Sequence, residues 1–223
     1  MKTLFTMNRK RDIVLAFILA LFIISFAVCL TVFFKPIYYL DIDLLNITEL
    51  TDLTKEALIK NYNILIDYQS IFYQGELTLP DFIMSTTGRI HFEEVKRIFE
   101  VIQYLCMITG IVSAFMIYQN HKQKEYRYLK LTSILTIAIP SIIGLLASID
   151  FDKAFVIFHK IFFNNDYWIF DITSDPVILA LPQDFFMHCF MMIICVILVF
   201  SFICYFIYRR KEKQILENEK AIG

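Results

Sequence analysis

The chain has 223 residues, 58% of them hydrophobic, and a mean hydropathy of +0.60. So much apolar surface exceeds what one small water-soluble core can hide. The formal net charge is only −1, which excludes the strongly basic character of a nucleic-acid binder and leaves charge to report topology.

Crossing a hydrocarbon core of about 30 Å takes roughly 20 helical residues. Four stretches are that long and that apolar: residues 13–34, 99–118, 129–149 and 185–208. They predict an all-α, four-transmembrane-helix protein forming a single integral membrane domain over residues 1–223. The first run is too long for a typical signal core, and no small-x-small cleavage site precedes Lys35-Pro36. It therefore predicts an uncleaved anchor. Arg9, Lys10 and Arg11 precede this run and belong on the inner side of the membrane.

An external segment follows, about residues 35–98. Its stretch "ITELTDLTKEALIKNYNILIDYQSIF" sets Leu50, Leu53, Ala57 and Ile64 at mostly helical spacing, with Thr48 or Thr51 as candidate N-caps. An amphipathic helix, or a broken helix pair, is expected near the outer surface. Turn chemistry around Pro80 and Gly88 leads back into a helix that carries His91, with Glu94 on the same side to orient it. The ordinary interpretation of His91 alone is a surface histidine at a helix start.

Lys122, Lys124, Arg127 and Lys130 mark the connection between the second and third stretches as internal. The second external segment, about residues 150–184, carries Asp150, Asp152, Asp166, Asp171, Asp175 and Asp184 against only Lys153 and Lys160. A helix over 152–166 would form a stripe of Phe155, Phe158 and Phe162, with His159 beside Phe155. Asp152 and Asp166, seven residues before and after His159, would project the same way. His159 is then either an imidazole facing the bilayer or a pocket, or a core histidine bonded to a carbonyl. Arg209, Arg210, Lys211 and Lys213 close the last stretch on the inside.

The remaining groups narrow the chemistry. His188 falls just inside the fourth stretch, suited to a bond with another helix, and His121 lies in the basic inner loop. The five cysteines all fall within the proposed spans and cannot staple the external segments. No CxxC pair, HExxH or glycine-rich phosphate loop occurs. No metal site or cofactor is expected.

At this point the residues resemble a family. "GRIHFEEVKRIF" and "FHKIFFNNDYWIFDITSDPVILALPQDFF" are similar to the histidine-bearing elements of the lipoprotein intramolecular transacylases, four-span bacterial membrane enzymes. Glu94 stands where the family pattern suggests aspartate, and Gln183 where glutamate is frequent. The resemblance implies an acyltransferase of the Gram-positive cytoplasmic membrane with both termini inside and its site at the outer leaflet. It would move the sn-2 acyl chain of a diacylglyceryl-cysteine onto the α-amine of the same cysteine, giving lyso-form lipoprotein. The partners would be a diacylated lipoprotein N-terminus and membrane lipid. His91 and His159 would be catalytic, supported by Glu94, Asp166, Trp168, Asp171 and Asp175. Two rivals stay open: a metal-dependent membrane hydrolase using His91, His159 and Asp166, and a non-catalytic membrane partner protein.

Overall fold

The structure is a computed structural model that describes residues 2–222. Among the described residues it holds helices and no strand: α1 Lys2–Phe33, α2 Pro36–Leu44, α3 Ile47–Thr51, α4 Lys55–Tyr68, α5 Thr86–Lys122, α6 Arg127–Ile149, α7 Phe151–Phe162, α8 Val177–Ala180 and α9 Gln183–Ile222. Three segments of α1, α5 and α9 are long and apolar enough to cross a membrane: Arg9–Phe33, Thr86–Lys122 and Gln183–Asn218. Their exposed apolar side chains, such as Val101, Ile108 and Ile111 on α5 and Val199 and Phe202 on α9, suit hydrocarbon rather than water. The predicted third stretch is helical as α6, whose 23 residues rise about 34 Å.

Two compact units divide the chain. One comprises Met1–Val28, Tyr104–Gly144 and Ile193–Gly223. In it Leu15, Ala16, Leu19 and Ile23, at i, i+1, i+4 and i+8 along one face of α1, pack in a cluster with Tyr128, Leu129 and Cys204. Polar bonds tie its helices together: Asn120 donates to Asp12 at 3.1 Å, and the Ser201 hydroxyl donates to the Ser133 carbonyl at 2.9 Å. Apolar solvent does not push helices together as water does, so such bonds carry part of the association.

The other unit comprises Cys29–Gln103 and Leu145–Met192, and it contains both predicted external segments. Leu58, Tyr62, Leu65 and Ile66 of α4 are buried in its core with Tyr38, Ile42, Val177 and Phe185. Tyr38 stacks on Tyr62 with centroids 3.9 Å apart, and the Phe185 ring stands edge-on to both. Each such pair contributes about 0.5–1.5 kcal/mol beyond the area it buries.

The stretch from Ile47 is a broken helix pair, α3 and α4, preceded by α2, because Asn46 and Asp52 adopt positive φ, 51° and 55°, and each break resets the helical phase. Leu50 is accordingly exposed, while Ile47 of α3 is buried and the buried stripe of α4 starts at Leu58. The cap is neither Thr48 nor Thr51, which lie within α3. It is Thr54, whose side chain accepts from the Ala57 amide at 3.3 Å.

Candidate active site

Both predicted catalytic histidines lie in the second unit. α5 has 37 residues and at about 1.5 Å per residue outruns a hydrocarbon core. Its charged first turns, with Arg89, Glu93, Glu94, Lys96 and Arg97, precede the apolar run and carry His91. The helix begins there because the Ser85 hydroxyl accepts from the Gly88 amide at 2.9 Å and the buried Asp175 carboxylate accepts from the Ser85 amide at 2.8 Å. A carboxylate at a helix N-terminus complements the exposed amides and the dipole.

That contact explains Gly88, which is not a turn residue but sits in the first turn of α5. A Cβ there would lie 2.2 Å from Asp175 Oδ1. Gly88→Ala is therefore expected to expel the carboxylate and cost about 1–3 kcal/mol. Gly144→Ala, with nothing within 4 Å of the added carbon, should be neutral. Thermal unfolding of the two purified variants checks the contrast.

α7 is capped by Asp150, which accepts from the Lys153 amide at 2.9 Å. It ends at Phe162, ahead of the turn-forming Asn164, Asn165 and Asp166. The early end overturns the expected register. Asp166 lies outside the helix and exposed, while Asp152 accepts from Gln183 at 2.6 Å, so neither carboxylate faces His159 as its partner. Instead His159 Nδ1 is 2.8 Å from the Phe155 carbonyl. A carbonyl only accepts, so Nδ1 carries the proton and the neutral ring keeps its lone pair on Nε2. The side of α7 bearing Ile157, Phe158, Ile161 and Phe162 is exposed, whereas His159 is buried. The imidazole thus faces the protein interior, not the bilayer.

The two histidine rings come together with centroids 6.0 Å apart. Phe163 stands edge-on to His91 at 4.7 Å, Phe170 likewise at 5.5 Å, and Phe155 and Trp168 lie 4.2 and 4.8 Å from His159. Burial in this aromatic enclosure lowers both histidines, His91 to about 4 with the neighbouring His159 as a second cause. His91 Nδ1 is buried and has no hydrogen-bond partner among the described residues. A buried orphan of this kind is uncommon and costly, and is expected where a ligand completes the site.

The lowered values have a consequence for stability. Between the folded value near 4 for His91 and the unfolded one near 6.5, the unfolded chain binds more protons, so stability falls as pH drops through that window. The melting temperature is expected to fall by about 5 °C between pH 7 and pH 4.5. His91→Phe should flatten that dependence, as thermal scans at the two pH values would show.

The supporting residues divide. Glu94 does not bond to His91; its Oε1 accepts from Asn165 Nδ2 at 2.8 Å, and its Oε2 is buried without a hydrogen-bond partner among the described residues. Trp168 lies against His159, and its indole N–H donates to the Asn165 carbonyl at 3.0 Å. Asp171 accepts from the Thr173 hydroxyl and amide, which hold its carboxyl below the usual range, and Asp175 secures the start of α5. These two aspartates build the scaffold and do not contact the imidazoles. The metal reading loses its third ligand with Asp166, and no trio of His, Cys, Asp or Glu converges among the described residues.

Comparison with known proteins identifies the family. A family model described as lipoprotein intramolecular transacylase Lit matches residues 13–186. The chain belongs to the lipoprotein intramolecular transacylase family. It is 42% identical to the membrane-integral transacylase of Bacillus cereus, with a TM-score of 0.93, covering 95% of this chain and 99% of that one. Structures of that protein with a histidine replaced by arginine or by alanine are each 41% identical, with TM-scores of 0.88, covering 97% of this chain and 97% and 100% of theirs. No curated protein sequence matches.

This transacylase is thus a membrane-integral enzyme that moves an acyl chain within one lipoprotein molecule. Its sequence concealed one residue of the site, Asn165. That side chain joins Glu94 and accepts the Tyr167 amide at 3.0 Å, and the residue's backbone carbonyl holds Trp168. The "NND" triplet signals a turn, but nothing in it singles out the middle asparagine. A second histidine contact is separate: half-buried His188 has its Nδ1 2.8 Å from Oδ1 of buried Asp41. His121 bonds to the Tyr126 hydroxyl at 3.1 Å.

Proposed function

We propose that the enzyme moves the sn-2 acyl chain of a diacylglyceryl-cysteine to the α-amine of the same cysteine, with His91 and His159 as its catalytic pair. The observation that supports this most is two buried, neutral imidazoles with ring centroids 6.0 Å apart in an aromatic enclosure. An α-ammonium group titrates near 8 and must lose a proton before it attacks. His159, its Nδ1 engaged with a carbonyl, offers Nε2 as the base. The first proton is released from His159 to water; as the amine nitrogen then bonds to the ester carbonyl carbon, His159 takes the second proton from it, and a neutral His91 ring donates its N–H to the developing oxyanion. As the carbon–oxygen bond breaks, this second proton passes from His159 to the glycerol oxygen, leaving a neutral amide. Tethering of amine to ester removes much of the entropic barrier, so orientation and proton transfer are what the protein supplies.

The same reading places the enzyme in the bacterial cytoplasmic membrane, with α6 as a fourth crossing, both termini inside and the histidines at the outer leaflet. The basic flanks at Arg9–Arg11, Lys122–Lys130 and Arg209–Lys213 support it. Tags near Asp67 and Asn164 should be labelled from outside intact cells, and a tag at Gln123 should not; external labelling at Gln123 would sink this orientation.

Mass spectrometry of a reporter lipoprotein's N-terminal peptide tests the chemistry. The expected product carries one acyl chain on nitrogen and one on glycerol, with total acyl mass unchanged and no label taken up from phospholipid. A third chain, or phospholipid-derived N-acyl, would show that the reaction is not this transfer.

A further inference from the structure

Glu94 is half-buried on α5, one turn after His91, so the two side chains leave the helix on the same side. Its carboxylate is divided in use. Oε1 is held by Asn165 Nδ2 at 2.8 Å, while Oε2 is buried and meets no donor among the described residues. Asn165 cannot turn to serve both oxygens, because its own Oδ1 accepts the Tyr167 amide and its carbonyl accepts the Trp168 indole. The device therefore fixes a carboxylate by one oxygen and leaves the other buried and unpaired. Beside it His91, 6% exposed, leaves Nδ1 equally unpaired. Two orphaned acceptor-capable atoms on adjacent turns of one helix call for a ligand rich in N–H donors.

We infer that Glu94 Oε2 is the docking point for the α-ammonium group of the substrate's N-terminal cysteine, with Asn165 as the residue that positions it. The assignment rests on the transacylase reading above. A primary ammonium has three N–H donors, enough for Oε2 and for a histidine nitrogen together, and a charge-assisted bond of this type is about twice as strong as a neutral one. The rings enclosing the two imidazoles suit a cation as well, since aromatic faces attract positive charge. Docking as ammonium does not block the reaction. Once His159 has taken the first proton, the neutral amine still donates an N–H to Oε2, so it stays positioned while its lone pair is free to attack. Docking through the charge also explains selection of substrates: a lipoprotein whose amine is already acylated has no cation to offer.

Binding without turnover tests this. The probes are two dialkyl-ether analogues of a diacylglyceryl-cysteine peptide, which have no ester to transfer. One has a free α-amine, and in the other hydrogen replaces the amine. At pH 7 the wild-type enzyme should bind the amine probe about 10–100-fold more tightly, the range expected of one charged hydrogen bond. Glu94→Gln should reduce that ratio to within about threefold while leaving affinity for the des-amino probe unchanged. Asn165→Ala, which frees the carboxylate to swing, should reduce it in part. In the wild type alone, the preference should fade above about pH 9 as the ammonium deprotonates. Equal wild-type affinities, a preference that persists at pH 10, or a Glu94→Gln enzyme that still discriminates would each overturn the inference. Because the probes cannot react, these outcomes are independent of the acyl-mass experiment, whose failure would count against the transfer and not against ammonium docking.

Discussion

His91→Ala and His159→Ala are each expected to lower lyso-lipoprotein formation by about 10²–10⁴-fold at matched membrane abundance, the usual worth of a positioned acid or base. Their double variant should be no worse than the worse single change, because losing either member already interrupts the path of the proton. His159→Asn is the sharper probe. Its amide can still donate to the Phe155 carbonyl that now holds Nδ1 at 2.8 Å, so local structure is kept, yet it has no basic nitrogen to replace Nε2. It should be as inactive as His159→Ala. His121→Ala, which removes only a bond to Tyr126, should leave conversion near normal. Initial rates measured on a synthetic diacyl lipopeptide check the set. Near-normal conversion by either His91 or His159 variant would remove that histidine from the chemistry.

What was legible in the sequence depended on range. Apolar runs announce membrane helices because hydrocarbon imposes the same demand on every residue of a span, but α5 and α9 run well beyond the apolar stretches at 99–118 and 185–208 that they include. The two histidines could be named, partly through family resemblance and partly through the phenylalanines around His159. Of their expected supports Trp168 does lie against His159, but the partners of the carboxylates were not legible. Asp166 was assigned to His159 by counting along a helix that stops at Phe162, and Glu94 was assigned to His91 by the same local logic. The actual partner of Glu94 is Asn165, 71 residues away, and the actual role of Asp175 is at Ser85, 90 residues away. Helical periodicity relates residues three, four or seven apart. It carries no information about which turn of a distant loop will come to rest against a given helix face, so the shell of the site is decided by tertiary contacts that only the folded chain displays.

Those contacts set up an opposition between stability and activity. Asp41 of α2 is 3% exposed, its Oδ1 meets His188 of α9 at 2.8 Å, and its Oδ2 has no hydrogen-bond partner among the described residues. Removing the imidazole in His188→Ala would leave a buried carboxylate with neither oxygen bonded there, which costs far more than the pair itself contributes. Because the His188 side chain is 29% exposed and water can enter where it stood, the penalty is put at about 2–4 kcal/mol, or roughly 5–15 °C in melting temperature. Asp41→Asn combined with His188→Ala should recover part of that loss, since an amide is far cheaper to bury than a charge. Activity per folded molecule should stay within about threefold in both, because neither residue contacts the His91–His159 pair. His91→Phe should behave in the opposite way. It replaces an imidazole whose Nδ1 is buried and unpaired with a somewhat larger apolar ring among Phe92, Phe163 and Phe170, so the melting temperature at pH 7 should hold or rise while conversion is lost. A functional group kept unsatisfied until substrate arrives lowers the stability of the empty enzyme, whereas a structural pair raises it. Melting temperature and turnover measured on the same preparations therefore tell the two histidine–partner systems apart, and a His91→Phe enzyme that melts well below wild type would show that His91 is bonded in the empty protein after all.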